Sequence, residues 1–390
     1  MSKKNPIAER MQHINPFYVM DILAQAKQLE AQGYDVIHLE VGEPDFATPE
    51  TVKSAAKQAI DNGNTYYTAA TGLPELRHKI AEYYAQRLNA QIDSKNIVIT
   101  PGASGALQLA LSVLVNPGQN VMMADPGYPC NRHFVRMLEG RAQSINVGPD
   151  TSYQLTAELI DRHWCADTAA VLIASPSNPT GTLVSQDEML KIIEVVKKHQ
   201  GVLLVDEIYQ GLVYESDDFS AASMSRELFV INSFSKYFSM TGWRLGWLVV
   251  PDTYLSAVDK LAQNLFLAAP SISQYAALAA FESETLKVLD AQRDELQQRR
   301  DYLIQGLLAL GFEISVMPGG AFYVYAKVSK FTDDSFAFSQ QLLEKAHVAI
   351  TPGLDFGCHE PHLHVRFAYT QNIERLQQAL DRIGDFLSTL

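Results

Sequence analysis

The chain has 390 residues, 47% hydrophobic and 19% charged. That is ordinary globular composition at a length beyond one compact domain, so disorder, collagen-like repeats and small disulfide scaffolds are excluded. Thirty-one Lys and Arg against 44 Asp and Glu leave a net charge of -13, which repels polyanions and argues against a nucleic-acid partner. No uncharged apolar run approaches the roughly 20 residues of a spanning helix, and no apolar stretch follows the cationic start MSKKNPIAERMQHINPF. The expectation is a soluble, cytoplasmic protein with no membrane partner.

The first element in chain order is a helix over VMDILAQAKQLEAQG, stopped by Gly33. Between residues 95 and 250, short apolar runs alternate with Pro/Gly/Ser/Asn loops and helical patterns, the βα alternation of a mainly parallel sheet. The runs are NIVIT (96–100), NVMMA (120–124), AAVLIA (169–174), GVLLV (201–205), LFVIN (228–232) and LGWLVV (245–250). From Glu284 to Leu310 the apolar positions step by three, four or their sums, which predicts one long helix ending before Gly311. Beyond it come strand-like FEISVM and AFYVYAKV, a helix near SFAFSQQLLEKA, the strand HLHVRFAY and a terminal helix NIERLQQALDRIGDFL. The expected division is an N-terminal arm with part of a small domain over 1–47, a large domain over 48–285, and a small α+β domain over 286–390 that includes the bridging helix.

Cys130, Cys165 and Cys358 lack CxxC spacing and read as reduced thiols. Cys358 lies in GCHEPHLH, where His362 and His364 read as satisfied or exposed side chains rather than ligands, so no metal is expected.

Ligands in open α/β sheets sit beyond the carboxyl ends of the strands, so the polar residues following each apolar run are the candidates for function. Run 96–100 leads into PGASGALQLAL, where Gly102, Ala103, Ser104 and Gly105 open a helix with exposed amides and a hydroxyl, a pattern suited to phosphate. The next ends place Asn178, Asp206, Tyr209, Ser233, Lys236 and Arg244 at one rim. A lysine desolvated there beside another cation has a lowered pKa and suits Schiff-base chemistry. An acid ending an apolar strand is costly to bury without a partner, and a protonated pyridine nitrogen is a suitable one.

With these residues in view the sequence resembles the class I and II aminotransferases, pyridoxal-phosphate enzymes of fold type I, and within them the bacterial aspartate, alanine and aromatic aminotransferases. The resemblance runs through GEPDFATP (42–49), YTAATGLPELR (67–77), TPGASGAL (100–107), DPGYP (125–129), SPSNPTG (175–181), DEIY (206–209), SFSKYFSMTGWRLG (233–246) and HVRFAY (364–369), in order over essentially the whole chain. It implies an α/β fold with a mainly parallel seven-stranded sheet flanked by helices plus a smaller α+β domain, and pyridoxal 5'-phosphate as cofactor. It further implies that Lys236 joins the cofactor and moves the substrate proton, and that Asp206 holds the pyridine nitrogen. Tyr209 and Asn178 would bond the 3'-oxygen; Gly102, Ala103, Ser104, Ser233 and Arg244 would cradle the phosphate. Tyr128 would stack on the ring, Arg366 would take the substrate carboxylate with Gly42 and Asn178 beside it, and Tyr67 would reach the phosphate of the other subunit of a homodimer.

The expected reaction moves an amino group from an amino acid to a 2-oxo acid. Carbon–sulfur β-lyases share the same cofactor residues and remain open on motifs alone. A DNA-binding regulator is disfavoured because only about forty residues precede GEPDF, and a nicotinamide dehydrogenase because no GxGxxG follows a strand. The sequence shows no second arginine for a side-chain carboxylate and offers apolar Phe17 and Tyr18 near the site, so a neutral amino acid is the expected partner of glutamate and 2-oxoglutarate.

Overall fold

The computed structural model describes residues 7–390. Each of the six apolar runs forms a strand: Ile97–Thr100, Asn120–Asp125, Thr168–Ala174, Val202–Asp206, Phe229–Ser233 and Gly246–Val249. Their residues alternate between two hydrophobic clusters. Ile99, Val171, Ile173, Leu203, Val205 and Trp247 enter one, while Val98, Leu172, Leu204, Phe229, Ile231 and Leu248 enter the other. Burial on both faces explains why these strands read as continuous apolar runs rather than as alternating ones.

A seventh strand, Arg141–Asn146, completes the sheet at its edge, where it pairs in parallel with Asn120–Asp125. Its sequence RAQSIN is mostly exposed or half-buried, so it carries no apolar signal. Across the sheet the order runs 97–100, 246–249, 229–233, 202–206, 168–174, 120–125, 141–146. Strand Gly246–Val249 is antiparallel to both neighbours, and the remaining pairings are parallel. The reversal has a functional consequence: its starting end, preceded by Arg244, lies at the rim where the other strands finish.

The long helix runs Ser283–Ala309. Near its start Asp290 accepts from Arg87 and from Tyr237 at 2.6 Å, and further along Arg299 donates to Asp45 at 2.7 Å and to the Thr370 carbonyl at 2.8 Å. Beyond it lies a three-stranded antiparallel sheet in which His364–Ala368 is flanked by Thr351–Pro352 and Tyr323–Lys327. Ile37–His38 pairs with Val348–Ala349, so the N-terminal segment packs with this unit. FEISVM, read as a strand, makes only the single bridge Glu313↔Lys327. Among the described residues no helix is long and apolar enough to cross a membrane.

Candidate active site

The carboxyl ends of the parallel strands and the start of the reversed strand open onto a cavity of about 290 Å³. It is lined by Ala103, Ser104, Tyr128, Asn178, Asp206, Tyr209, Lys236, Arg244, Arg366 and Gly42, so ten residues singled out in the sequence meet there.

Lys236 follows strand Phe229–Ser233, and its Nζ donates to the Gly42 carbonyl at 2.6 Å. Burial pulls the amine down to about 8; Arg366 and Arg244 act in the same direction, and Glu43 and Asp206 oppose it. A larger share of neutral amine near physiological pH is what a nucleophilic lysine requires.

Asp206 ends the central strand Val202–Asp206 and is 5% exposed. Its Oδ1 accepts the Ile208 amide at 3.1 Å, and burial pushes the carboxyl up to about 6, with Lys236 drawing it back. No cation stands within ion-pair distance of it among the described residues.

One end of the cavity is formed by helix Gly102–Leu114, whose N-terminus has no side-chain cap. Gly102 has φ +71, and a Cβ there would come within 2.8 Å of Arg244 Nη2, so glycine is required for the guanidinium to lie against the helix start. Gly246 serves the same packing: a Cβ would lie 2.9 Å from the Ala103 nitrogen. Arg244 itself is left-handed, with φ 52, and has no carboxylate partner among the described residues. An unpaired guanidinium at an uncapped helix N-terminus fits a phosphate group.

Ser233, expected in this cradle, stands behind the wall. It is 1% exposed, and its hydroxyl donates towards Leu245 O at 3.1 Å and Ser235 Oγ at 3.0 Å. Ser235 lines the cavity instead. Gly102 likewise contributes clearance rather than lining.

At the opposite end Arg366 is 2% exposed. Its Nη1 donates to Asn178 Oδ1 at 2.8 Å, and Nη2 donates to Thr351 Oγ1 at 3.1 Å and to the Glu40 carbonyl. The guanidinium lies 4.2 Å from the Tyr323 ring centroid and 4.9 Å from that of Phe356. Its Nε has no partner, and no carboxylate pairs with it among the described residues.

Tyr323 carried no sequence signal beyond its place in a strand. Its hydroxyl is 2.9 Å from that of Tyr209, and a Cβ on Gly42 would meet it at 2.0 Å, which accounts for glycine at that position. The apolar wall also differs from expectation. Phe17 lines the cavity together with Val19 and Met20, but Tyr18 packs its ring 5.4 Å from Phe336. Tyr67 lies outside its own chain's cavity and is 83% exposed, as is Tyr66. His364 is buried, its Nδ1 donates to the Glu360 carbonyl at 3.0 Å, and its ring stacks on Tyr325. Among the described residues no group of three His, Cys, Asp or Glu could hold a metal.

An amine tuned by burial, an unpaired acid at a strand end and an unpaired arginine on a helix N-terminus fit the three ends of pyridoxal 5'-phosphate: aldehyde, ring nitrogen and phosphate. Fold and site together define a pyridoxal-phosphate enzyme of fold type I. The chain belongs to the class I and II aminotransferases, whose family model matches residues 34–383, and members of that family use this cofactor. The valine–pyruvate aminotransferase of Mycobacterium tuberculosis is 38% identical over 376 residues, covering 96% of this chain and 97% of the relative. The aspartate/prephenate aminotransferase of Thermus thermophilus is 32% identical and covers 98% of each. Among solved structures, an aminotransferase from Mycobacterium tuberculosis matches with TM-score 0.96 at 38% identity, over 99% of this chain and 100% of that one. Aspartate aminotransferase from Thermus thermophilus with maleate gives 0.92 at 31%, over 98% and 99%.

Proposed function

We propose that this aminotransferase takes its amino group from a neutral L-amino acid such as alanine, methionine or an aromatic one, and passes it to 2-oxoglutarate in a ping-pong cycle. The observation that carries this reading is the charge inventory of the cavity: its lining cations are Lys236, Arg244 and Arg366. Lys236 and Arg244 are matched to the cofactor and Arg366 to the α-carboxylate, which leaves no cation for a donor side chain facing Phe17, Val19 and Met20. An unpaired carboxylate against that wall would be expelled or protonated. Relatives named for valine and for aspartate or prephenate differ in donor, which is why the wall and not the family supports the choice. The distal carboxylate of glutamate is then met by water or hydroxyls.

The bound cofactor supplies an electron sink for charge developing at the substrate Cα. The Lys236 amine would be the base that takes the proton from the substrate Cα and gives it back. Asp206 would hold the ring nitrogen protonated, and Tyr209 and Asn178 would donate to the 3'-oxygen. Tyr128 would cover one ring face. Arg366 grips the substrate carboxylate next to Gly42, and Ala103, Ser104 and Arg244 hold the phosphate, with Ser233 supporting Ser235 behind them. We place the enzyme in a homodimer whose exposed Tyr67 reaches the neighbouring phosphate. The cytoplasm is its proposed location, in keeping with the free thiols Cys130, Cys165 and Cys358.

The test is a comparison of kcat/KM for alanine, methionine, phenylalanine and aspartate with 2-oxoglutarate as acceptor, together with product analysis of the first half-reaction. Keto acid and aminated cofactor are expected. Ammonia and pyruvate would mark a β-lyase, and a clear preference for aspartate would overturn the neutral-donor reading.

A further inference from the structure

The N-terminal helix Tyr18–Ala31 begins without a cap of its own: Phe17 occupies the capping position and makes no side-chain hydrogen bond. A helix start leaves amides that need partners, and it favours negative charge. Both needs are met from far along the chain. The Tyr18 amide donates to Asp355 Oδ1 and the Val19 amide to Asp355 Oδ2, each at 2.8 Å, across 337 and 336 residues. Asp355 is 3% exposed. Further along, the helix buries Val19, Ile22 and Ala26, the last two in a small cluster with Val36, Leu343 and Ala349.

The loop carrying Asp355 is itself fixed from the large sheet. Arg132 Nη2 donates to the Asp355 carbonyl at 2.9 Å, and the Gly127 amide donates to the Phe356 carbonyl at 2.8 Å. The buried carboxylate of Asp125 accepts the Cys358 amide at 2.9 Å and the His359 amide at 3.3 Å. A Cβ on Gly357 would fall 1.7 Å from Asp125 Oδ1, so the loop rests on that carboxylate without slack. Phe356, between Asp355 and Gly357, lies against the Arg366 guanidinium. One loop therefore holds the helix that bears the apolar wall and supports the arginine at the carboxylate end.

We propose that Asp355 is a positioning residue for side-chain recognition: its carboxylate clasps the start of helix Tyr18–Ala31 and sets Phe17, Val19 and Met20 against the cavity that holds Lys236 and Arg366. Phe17 reaches Tyr128 edge-on at 6.3 Å, so the clasp also fixes how these two rings meet at the cavity wall. The inference rests on the neutral-donor reading for the identity of that side chain, but the clasp itself does not.

The experiment uses the full-length holoenzyme and its Asp355→Ala and Asp355→Asn variants, with amide hydrogen exchange at residues 18 and 19 and steady-state kinetics on alanine, methionine and phenylalanine. Losing two charge-assisted acceptors should speed exchange at both amides by about tenfold or more, and Asp355→Asn, which keeps one acceptor, should fall between. KM for methionine and phenylalanine should rise about tenfold with kcat within about twofold, while KM for alanine, whose methyl is too short to use the wall, and cofactor absorbance stay unchanged. Phe17→Ala should reproduce the KM split with the Asp355 clasp intact, a check that holds even if Asp355→Ala fails to fold. Unchanged exchange in the Asp355 variants overturns the clasp. Faster exchange with an equal KM rise for all three amino acids overturns the positioning role and leaves Asp355 structural. Failure of the wild-type enzyme to accept any neutral amino acid overturns the donor reading alone, because the exchange result stands independently of it.

Discussion

Arg366→Lys isolates what a guanidinium does that a charge alone does not. In the folded chain the side chain is almost fully buried, with its guanidinium against the rings of Tyr323 and Phe356 and its fork steadied by Asn178 and Thr351. Lysine keeps the positive charge but presents one nitrogen, so it loses one of the two parallel bonds to a carboxylate and the stacked geometry. One hydrogen bond to a charged group is worth about 1.5–3 kcal/mol, and each 1.4 kcal/mol is a factor of ten, so substrate affinity should fall roughly ten- to 150-fold. The phosphate and ring ends of the site lie on other elements, so cofactor retention should not change. Titrating the bound cofactor's absorbance with amino acid in wild type and variant reads both quantities. An unchanged titration, or a loss of cofactor without a loss of amino-acid affinity, would refute the assignment of Arg366 to the substrate carboxylate.

Lys236→Ala should abolish turnover, and borohydride should fix the cofactor in the wild-type chain at Lys236; an adduct mapped to another lysine would sink the assignment. Since burial lowers the Lys236 amine to about 8, capture of free cofactor by the apoenzyme should accelerate through pH 8 rather than 10.5. The sign for stability follows: below about 8 the amine is protonated in both states and the fold bears its burial, a penalty relieved as pH rises towards the unfolded value. Lys236→Met should therefore stabilise the apoenzyme more at pH 7 than at pH 10, and equal effects at both would contradict the shift. Asp206→Ala should keep bound cofactor but react at least about a hundredfold more slowly, roughly the 2.7 kcal/mol of a lost charge-assisted contact; near-normal rates would make the acid structural. Tyr67→Phe should weaken cofactor retention, and a mixed dimer with a Lys236→Ala chain should keep one intact site if the hydroxyl crosses the interface. Two sites with one defect each, and none intact, would place Tyr67 in its own chain's cavity.

How much was legible in the sequence divides along physical lines. Strands buried on both faces announce themselves as apolar runs, and the polar residue ending each run is forced to the rim, which is why Asp206, Asn178 and Lys236 could be placed without coordinates. Arg141–Asn146 was hidden because an edge strand with exposed faces needs no apolar pattern. Tyr323 and Asp355 were hidden for another reason: their partners Tyr209, Gly42, Tyr18 and Val19 lie more than a hundred residues away, and local spacing holds no trace of such contacts. Ser233 and Ser235 share a loop, and which hydroxyl faces the cavity depends on the turn after the strand, where Ser233 is engaged by Leu245. Tyr18 was misread as part of the apolar wall because adjacent residues at a helix start point in different directions, and Phe336 takes its ring.

The charged groups of the site are arranged as unpaired halves. Arg244 and Arg366 have no carboxylate partners among the described residues, and Asp206 has no cation within ion-pair distance. Lys236 sits between both signs, so its amine responds to all of them. A protein selected for stability alone would pair or remove such charges, because a buried charge without its counterpart is costly. On the proposed assignment each missing counterpart would belong to a ligand: phosphate for Arg244, ring nitrogen for Asp206, carboxylate for Arg366. The two arginines also come from different parts of the fold, one preceding the reversed strand of the large sheet and the other on the central strand of the C-terminal sheet. On that assignment cofactor would complete only the first and substrate the second. Amino-acid binding would then join the two sheets through opposite charges that neither can satisfy alone, and the loop bearing Asp355 lies between Asp125 and Arg366.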